Sequence, residues 1–139
     1  MESVMPFSPY LHFKGQCEEA FDFYAACFDG VVNKQRYGES HIVAQTVPEW
    51  RDKIMHATLT FPRATLMGSD TPPGMQEAVS GFSVSFWTDH PAEADRIFTA
   101  LSEGAAIRMP IQETDWAYRF GMLVDRFGIP WMISCNKSA

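Results

Sequence analysis

The chain has 139 residues, 46% of them hydrophobic and 20% charged, with a formal charge of −6. That length suits one packed domain, and this balance of apolar to charged residues excludes a disordered chain. The eleven Lys and Arg residues are scattered along an acidic chain, which excludes a nucleic-acid or anionic-membrane surface.

Cys17, Cys27 and Cys135 form no C-x-x-C pair. Their odd count and wide spacing suit reduced, buried thiols in a cytosolic compartment rather than a disulfide framework. No stretch approaches the roughly 18 apolar residues of a membrane span, and residues 1–10 show no basic segment followed by an apolar one. A cytoplasmic location is expected.

In chain order, 9–13 reads as a short strand, and 19–30 as an amphipathic helix with Ala20, Phe21, Tyr24, Cys27 and Phe28 on one face. A β-rich stretch begins near Val31, and 38–53 reads as a loop. Residues 56–61 and 64–69 form a hairpin about a Pro-Arg turn. Residues 71–81, with Pro72, Pro73 and Gly74, form a linker. A second strand follows at 82–87, then a helix at 93–104 capped by Asp89 or His90, with Pro91 in its first turn. Gly30 and Gly104 are the expected left-handed terminators. β-structure resumes near Ala105, and a last hairpin joins 120–124 to 130–134 through a turn at 125–128.

The two helical segments superpose without a gap at an offset of 74, pairing Glu19 with Glu93, Tyr24 with Phe98 and Gly30 with Gly104. In the hairpins the offset is 64 to 65, so Leu59 answers Leu123 and Met67 answers Met132. The chain is therefore a βαβββ unit written twice, an α+β fold. Repeat one covers about 7–70 and repeat two about 82–135 of a single domain, 1–139. Neither half buries its sheet alone. Helices on one side of each curved mixed sheet leave the opposite faces to enclose a cavity.

Several phrases resemble the PhnB-like branch of the vicinal-oxygen-chelate superfamily, which includes glyoxalase I, extradiol dioxygenases and bleomycin-resistance proteins. They are Pro9-Tyr-Leu with Glu18-Glu-Ala-Phe-x-Phe-Tyr24, Asp52-Lys-Ile-Met-His-Ala57, Leu66-Met-x-Ser-Asp70, Glu93-Ala-x-x-Ile-Phe98, Gln112-x3-Trp-Ala-x-x-Phe-Gly-Met122 and Asp125-x-Phe-Gly-Ile-Pro-Trp131. The resemblance implies a homodimer and a small-molecule ligand. It also implies where metal-using members carry their ligands: on the first and last strands of each half, which here fall on Pro9, Met67, Ser83 and Met132. Proline offers no donor and a thioether is a weak one, so no metal and no cofactor are expected. Met67 and Met132 then floor the cavity.

Around that floor, Ser69, Asp70, Ser83 and His56 are candidate ligand contacts, Asp70 doubling as a possible general base or a plain turn residue. In the polar and aromatic run 112–119, Trp116 and Phe120 offer flat apolar contact and Arg119 an anion or carbonyl clamp. His12 is expected on the helix side of its strand, away from the pocket. The four histidines show no metal-ligand spacing. No glycine-rich loop exists for a dinucleotide or S-adenosylmethionine, so methyl transfer, an activity attached to PhnB-like sequences, is not expected. The leading expectation is metal-independent binding or turnover of a small, mostly apolar molecule. The alternatives are a metal-dependent lyase, isomerase or dioxygenase using His56, Asp70 or Glu113, and a drug-sequestering resistance protein.

Overall fold

The computed structural model describes residues 7–62 and 64–137. The element order is β1 (Tyr10–Phe13), α1 (Cys17–Phe28), β2 (Val31–Arg36), three short 3-10 turns between Tyr37 and Trp50, β3 (Ile54–Phe61) and β4 (Ala64–Asp70). Then come β5 (Val84–Trp87), α2 (Pro91–Leu101), β6 (Ala106–Gln112), β7 (Ala117–Val124) and β8 (Pro130–Asn136). The chain divides into two compact units, residues 1–77 and 78–139, with the boundary inside the expected 71–81 linker. Each holds one helix and one four-stranded mixed sheet, ordered β1-β4-β3-β2 in the first and β5-β8-β7-β6 in the second. This is the α+β doubling read from the sequence.

In each unit the first strand runs parallel to the last, β1 to β4 and β5 to β8, and the other pairings are antiparallel. The helix makes the crossover that a parallel pair requires. Helix α1 lies on β2, β3 and β4, and α2 on β7 and β8. Cys17, Ala20, Phe21, Tyr24 and Cys27 of α1 are buried, as are Ala94, Ile97, Phe98 and Leu101 of α2. That is the spacing of a single helical face.

Glycines in the sheets admit the helix rings. A Cβ on Gly68 in β4 would stand 2.7 Å from a ring carbon of Phe21 and 2.9 Å from the Leu11 carbonyl oxygen. A Cβ on Gly121 in β7 would stand 2.6 Å from the Phe98 ring. These seats identify the helix-facing side of each sheet. In the first unit it carries Leu11, Ala57, Leu59 and Leu66, and in the second Leu123, Trp131 and Ile133, all buried.

Four expectations change. Helix α1 ends on Asp29, whose φ of 60° makes it the left-handed cap; Gly30 does not have positive φ. Gly30 is needed for room instead, since a Cβ there would approach Leu59 Cδ1 to 2.7 Å. His12 does not face the helix. It alternates with Leu11 and Phe13, which are 1% and 2% exposed beneath α1, and so projects from the opposite face. The strand expected at 120–124 starts three residues earlier, at Ala117.

The fourth change concerns the offset of 74, which does not extend to the strands before the helices. Tyr10 is registered with Met67 and Ser85 with Met132, so the first strands correspond at an offset of 75. The turns into α1 and α2 are both three residues long, 14–16 and 88–90, so the change lies in the register of each first strand on its last strand; the first turn carries Gly15 at φ 113°. Pro9 therefore answers Val84, not Ser83.

The Gly68 seat gives a direct test. Gly68→Ala should lower unfolding free energy by about 1–3 kcal/mol, because neither ring nor carbonyl can retreat without shifting α1 or β1. Urea denaturation measures it; a loss below about 0.5 kcal/mol would mean the seat is loose.

Candidate functional site

The faces turned away from the helices carry the candidate site, and register fixes their membership. In the first unit, Tyr10 and His12 of β1 stand beside Met67 and Ser69 of β4, and Met67 stands beside Thr58 of β3. Thr58 is in turn opposite Asn33 of β2, and His56 opposite Gln35. This open face holds side chains that hydrogen-bond without formal charge. The strand's cations go to the other side, where Lys34 and Arg36 meet Glu18 of α1 at 2.7 and 2.6 Å.

In the second unit the open face is of another kind. Ser85 stands beside Met132, Met132 beside Met122, and Met122 beside Met109. The three methionines are half-buried. Phe120 lies on the same face, and the Trp116 ring meets it edge-on at 5.4 Å between centroids. Trp87 on β5 is 60% exposed. A row of thioethers flanked by aromatic rings is an adaptable apolar surface.

The sequence candidates separate cleanly on this geometry. Met67, Ser69 and His56 lie on the first open face, and Met132, Phe120 and Trp116 on the second, with Ser83 just ahead of β5. Asp70 and Arg119 lie on neither. Asp70 is 1% exposed on the helix side, where its Oδ1 accepts the Gly15 and Cys17 amides and its Oδ2 the Ile54 amide, each at 2.9 Å. The Tyr37 hydroxyl also donates to its carbonyl oxygen at 2.8 Å. This carboxylate ties the entry of α1, the start of β3 and the end of β4 together, which occupies both of its oxygens. Arg119 is engaged by Asp95 of α2 at 2.7 Å. Glu113 pairs with Lys137 at 2.8 Å, which holds its carboxyl below the usual range.

Tyr10, His12, Met109 and Met122 were not among the sequence candidates. Their signal was present: Leu11 and Phe13 are the large apolar residues of an alternating strand, and such residues turn toward the helix. The residues between them then face away.

Burial raises the Cys17 thiol well above its ordinary pKa, and the nearby Asp70 and Glu18 charges add to the effect. A thiol so held is no nucleophile or metal ligand at neutral pH. Glu18 is shifted the other way. Hydrogen bonds from Arg36 and then Lys34 bring it from 4.5 down to about 2.

The open-face residues in register at the two methionines are Tyr10 and Ser85. In the first unit Tyr10 and Met67 offer a phenol and a thioether, and in the second Ser85 and Met132 offer a hydroxyl and a thioether; neither pair fits a divalent cation. Among the described residues no three His, Cys, Asp or Glu side chains group as a metal site.

The family model for 3-demethylubiquinone-9 3-methyltransferase matches residues 5–134. The chain belongs to this PhnB-like family. Protein YjdN of Escherichia coli is 34% identical, over 96% of this chain and 97% of its own length. The crystal structure of PA1353 from Pseudomonas aeruginosa is 40% identical, with 97% and 100% coverage and a TM-score of 0.88. A PhnB protein from Bacillus cereus is 27% identical over 94% and 98%, with a TM-score of 0.76. The fold extends to a glyoxylase/bleomycin resistance protein/dioxygenase domain from Frankia, 16% identical over 97% and 100%, with a TM-score of 0.65.

The methyltransferase in the family's name would need a site for a methyl donor. The turn into α1 has Gly15 alone, and Asp70 already takes the Gly15 and Cys17 amides; the turn into α2 is Asp89-His90-Pro91. These residues do not fit a nucleotide-type loop, and no methyl-transfer step follows from them.

Two outcomes follow for PhnB-like residues at the helix entry. Asp70→Asn should cost about 1–3 kcal/mol in urea denaturation, because whichever way the amide turns its NH2 group faces a backbone N–H. An unchanged midpoint would deny the staple. Because folding depresses the Glu18 pKa, its ion pairs stabilise the protein above about pH 4.5 and lose that effect as pH falls toward 2. The side chain is 40% exposed, so the stability gap between wild type and Glu18→Gln should be at most about 1 kcal/mol at pH 7. It should close by pH 2, and a gap that widens on acidification would refute the assignment.

Proposed function

We propose that this PhnB-like chain binds a small, mostly apolar molecule without a divalent metal, and that the open face of the second sheet supplies the apolar contact. The observation that carries this reading is the row Met109, Met122, Met132 with Phe120 and Trp116 on the side away from α2. Thioethers and ring edges suit an apolar guest of variable shape, because an unbranched side chain repacks at little cost. The pairs Tyr10 with Met67 and Ser85 with Met132, one in each unit, support the metal-independent half of the proposal. Hydroxyls and thioethers grip zinc, nickel or iron(II) poorly.

Small-molecule binding also agrees with the distribution of charge. Charged side chains that touch the strands, such as Arg119 with Asp95 and Lys34 with Glu18, are paired on the helix sides. None of the residues registered with Met109, Met122 and Met132 carries a charge, which suits a guest whose main gain is leaving water.

Two measurements test the reading. With methyl-labelled methionine, toluene should shift the Met109, Met122 and Met132 signals together in a saturable way; saturable binding that left all three in place would overturn it. After dialysis against zinc, nickel or iron(II), elemental analysis should find no tight stoichiometric ion. One tightly held ion per chain would overturn the metal-independent part.

A further inference from the structure

The first open face differs from the second in chemistry, and one cluster on it joins a phenol to two imidazoles. The Tyr10 ring lies between two imidazoles, with centroids 5.1 Å from His12 and 5.7 Å from His56. The Tyr10 hydroxyl is 3.1 Å from His56 Nδ1, and the Thr71 Oγ1 is 3.2 Å from His12 Nδ1. Each imidazole is thus oriented through one nitrogen. Among the described residues, neither Nε2 has a hydrogen-bond partner, and the buried side-chain polar atom lacking one is Trp50 Nε1. His12 is an exposed residue and His56 a half-buried one.

We propose that Tyr10, His12 and His56 form a hydrogen-bonding subsite for the hydroxyl of an uncharged, flat-ringed molecule, phenol being the simplest case. Three features of the face select that class. The paired strand positions here are Tyr10, His12, Asn33, Gln35, His56, Thr58, Met67 and Ser69, none of them a carboxylate, ammonium or guanidinium. An ionic ligand would find no carboxylate, ammonium or guanidinium there to replace its hydration. The hydrogen bond to each Nδ1 leaves Nε2 as donor in one tautomer and acceptor in the other, which matches a hydroxyl, itself both. The half-exposed Tyr10 ring, 37% accessible, offers a flat apolar surface beside those nitrogens.

This inference rests on the small-molecule reading above and stands on the first unit's face alone. It assigns no reaction; the three residues are ligand contacts.

The experiment uses the full chain and follows imidazole nitrogen signals by NMR during titration with phenol and, separately, with toluene. Phenol should move the Nε2 signals of His12 and His56 and leave those of His41 and His90 in place. Tyr10→Phe and His56→Gln should each weaken phenol binding about fivefold or more, as loss of a hydrogen bond does, and leave toluene binding unchanged. Circular dichroism of each variant checks that the fold persists, and Tyr10→Phe keeps the ring. Phenol that fails to bind, that binds without moving either signal, or that binds Tyr10→Phe as well as wild type overturns the subsite. If toluene leaves the methionine signals in place, the small-molecule reading itself fails, whatever phenol does.

Discussion

In each unit a phenylalanine of the helix rests on a glycine of the sheet, Phe21 on Gly68 and Phe98 on Gly121, and this contact decides which side of the sheet is core. Side chains alternate along a strand, so one such seat assigns every strand residue to a face. With Gly68 beneath α1, Met67 and Ser69 must face away, and through register so must Tyr10, His12 and Thr58. With Gly121 beneath α2, Phe120, Met122 and Met132 follow. The proposed site is a consequence of these two contacts.

The same alternation separates structural polar groups from available ones. Asp70 and Arg119 are polar residues in the regions the sequence singles out, yet both lie on helix sides and are committed to partners there. A buried carboxylate that accepts three backbone amides is held by those bonds and would be costly to release for chemistry. The histidines of the first open face are in the reverse situation. Each spends one nitrogen on a neighbouring hydroxyl and leaves the other without a hydrogen-bond partner among the described residues, which orients the ring without using up its hydrogen-bonding capacity.

Much of the architecture was legible in the sequence because period and repeat agree. Ala20, Phe21 and Tyr24 show the helix, their counterparts 74 residues on show its copy, and the strands fall between turn signals. The site was less legible, for physical reasons. The face of His12 depends on where α1 sits, and that is set by a ring 9 residues away on a glycine 56 residues away. Counting from the helix placed the first-strand positions at Pro9 and Ser83, but register puts Tyr10 beside Met67 and Ser85 beside Met132, and the move from Pro9 to Tyr10 is one residue. Since strand periodicity is 2, a one-residue change exchanges the faces. Asp70 looked like a site residue because its amide partners, 53 and 55 residues earlier, leave no mark in local sequence.

The family's name speaks of methyl transfer, and this chain's residues direct attention elsewhere: to an apolar methionine row on one sheet and an imidazole and phenol cluster on the other. The most direct test of the account is anomalous diffraction from a crystal soaked in iodobenzene. The iodine peak is expected against Met122 and Met132, on the side of β7 and β8 away from α2. An iodine lodged between α2 and its sheet, or a divalent ion held by side chains of the open faces, would contradict it.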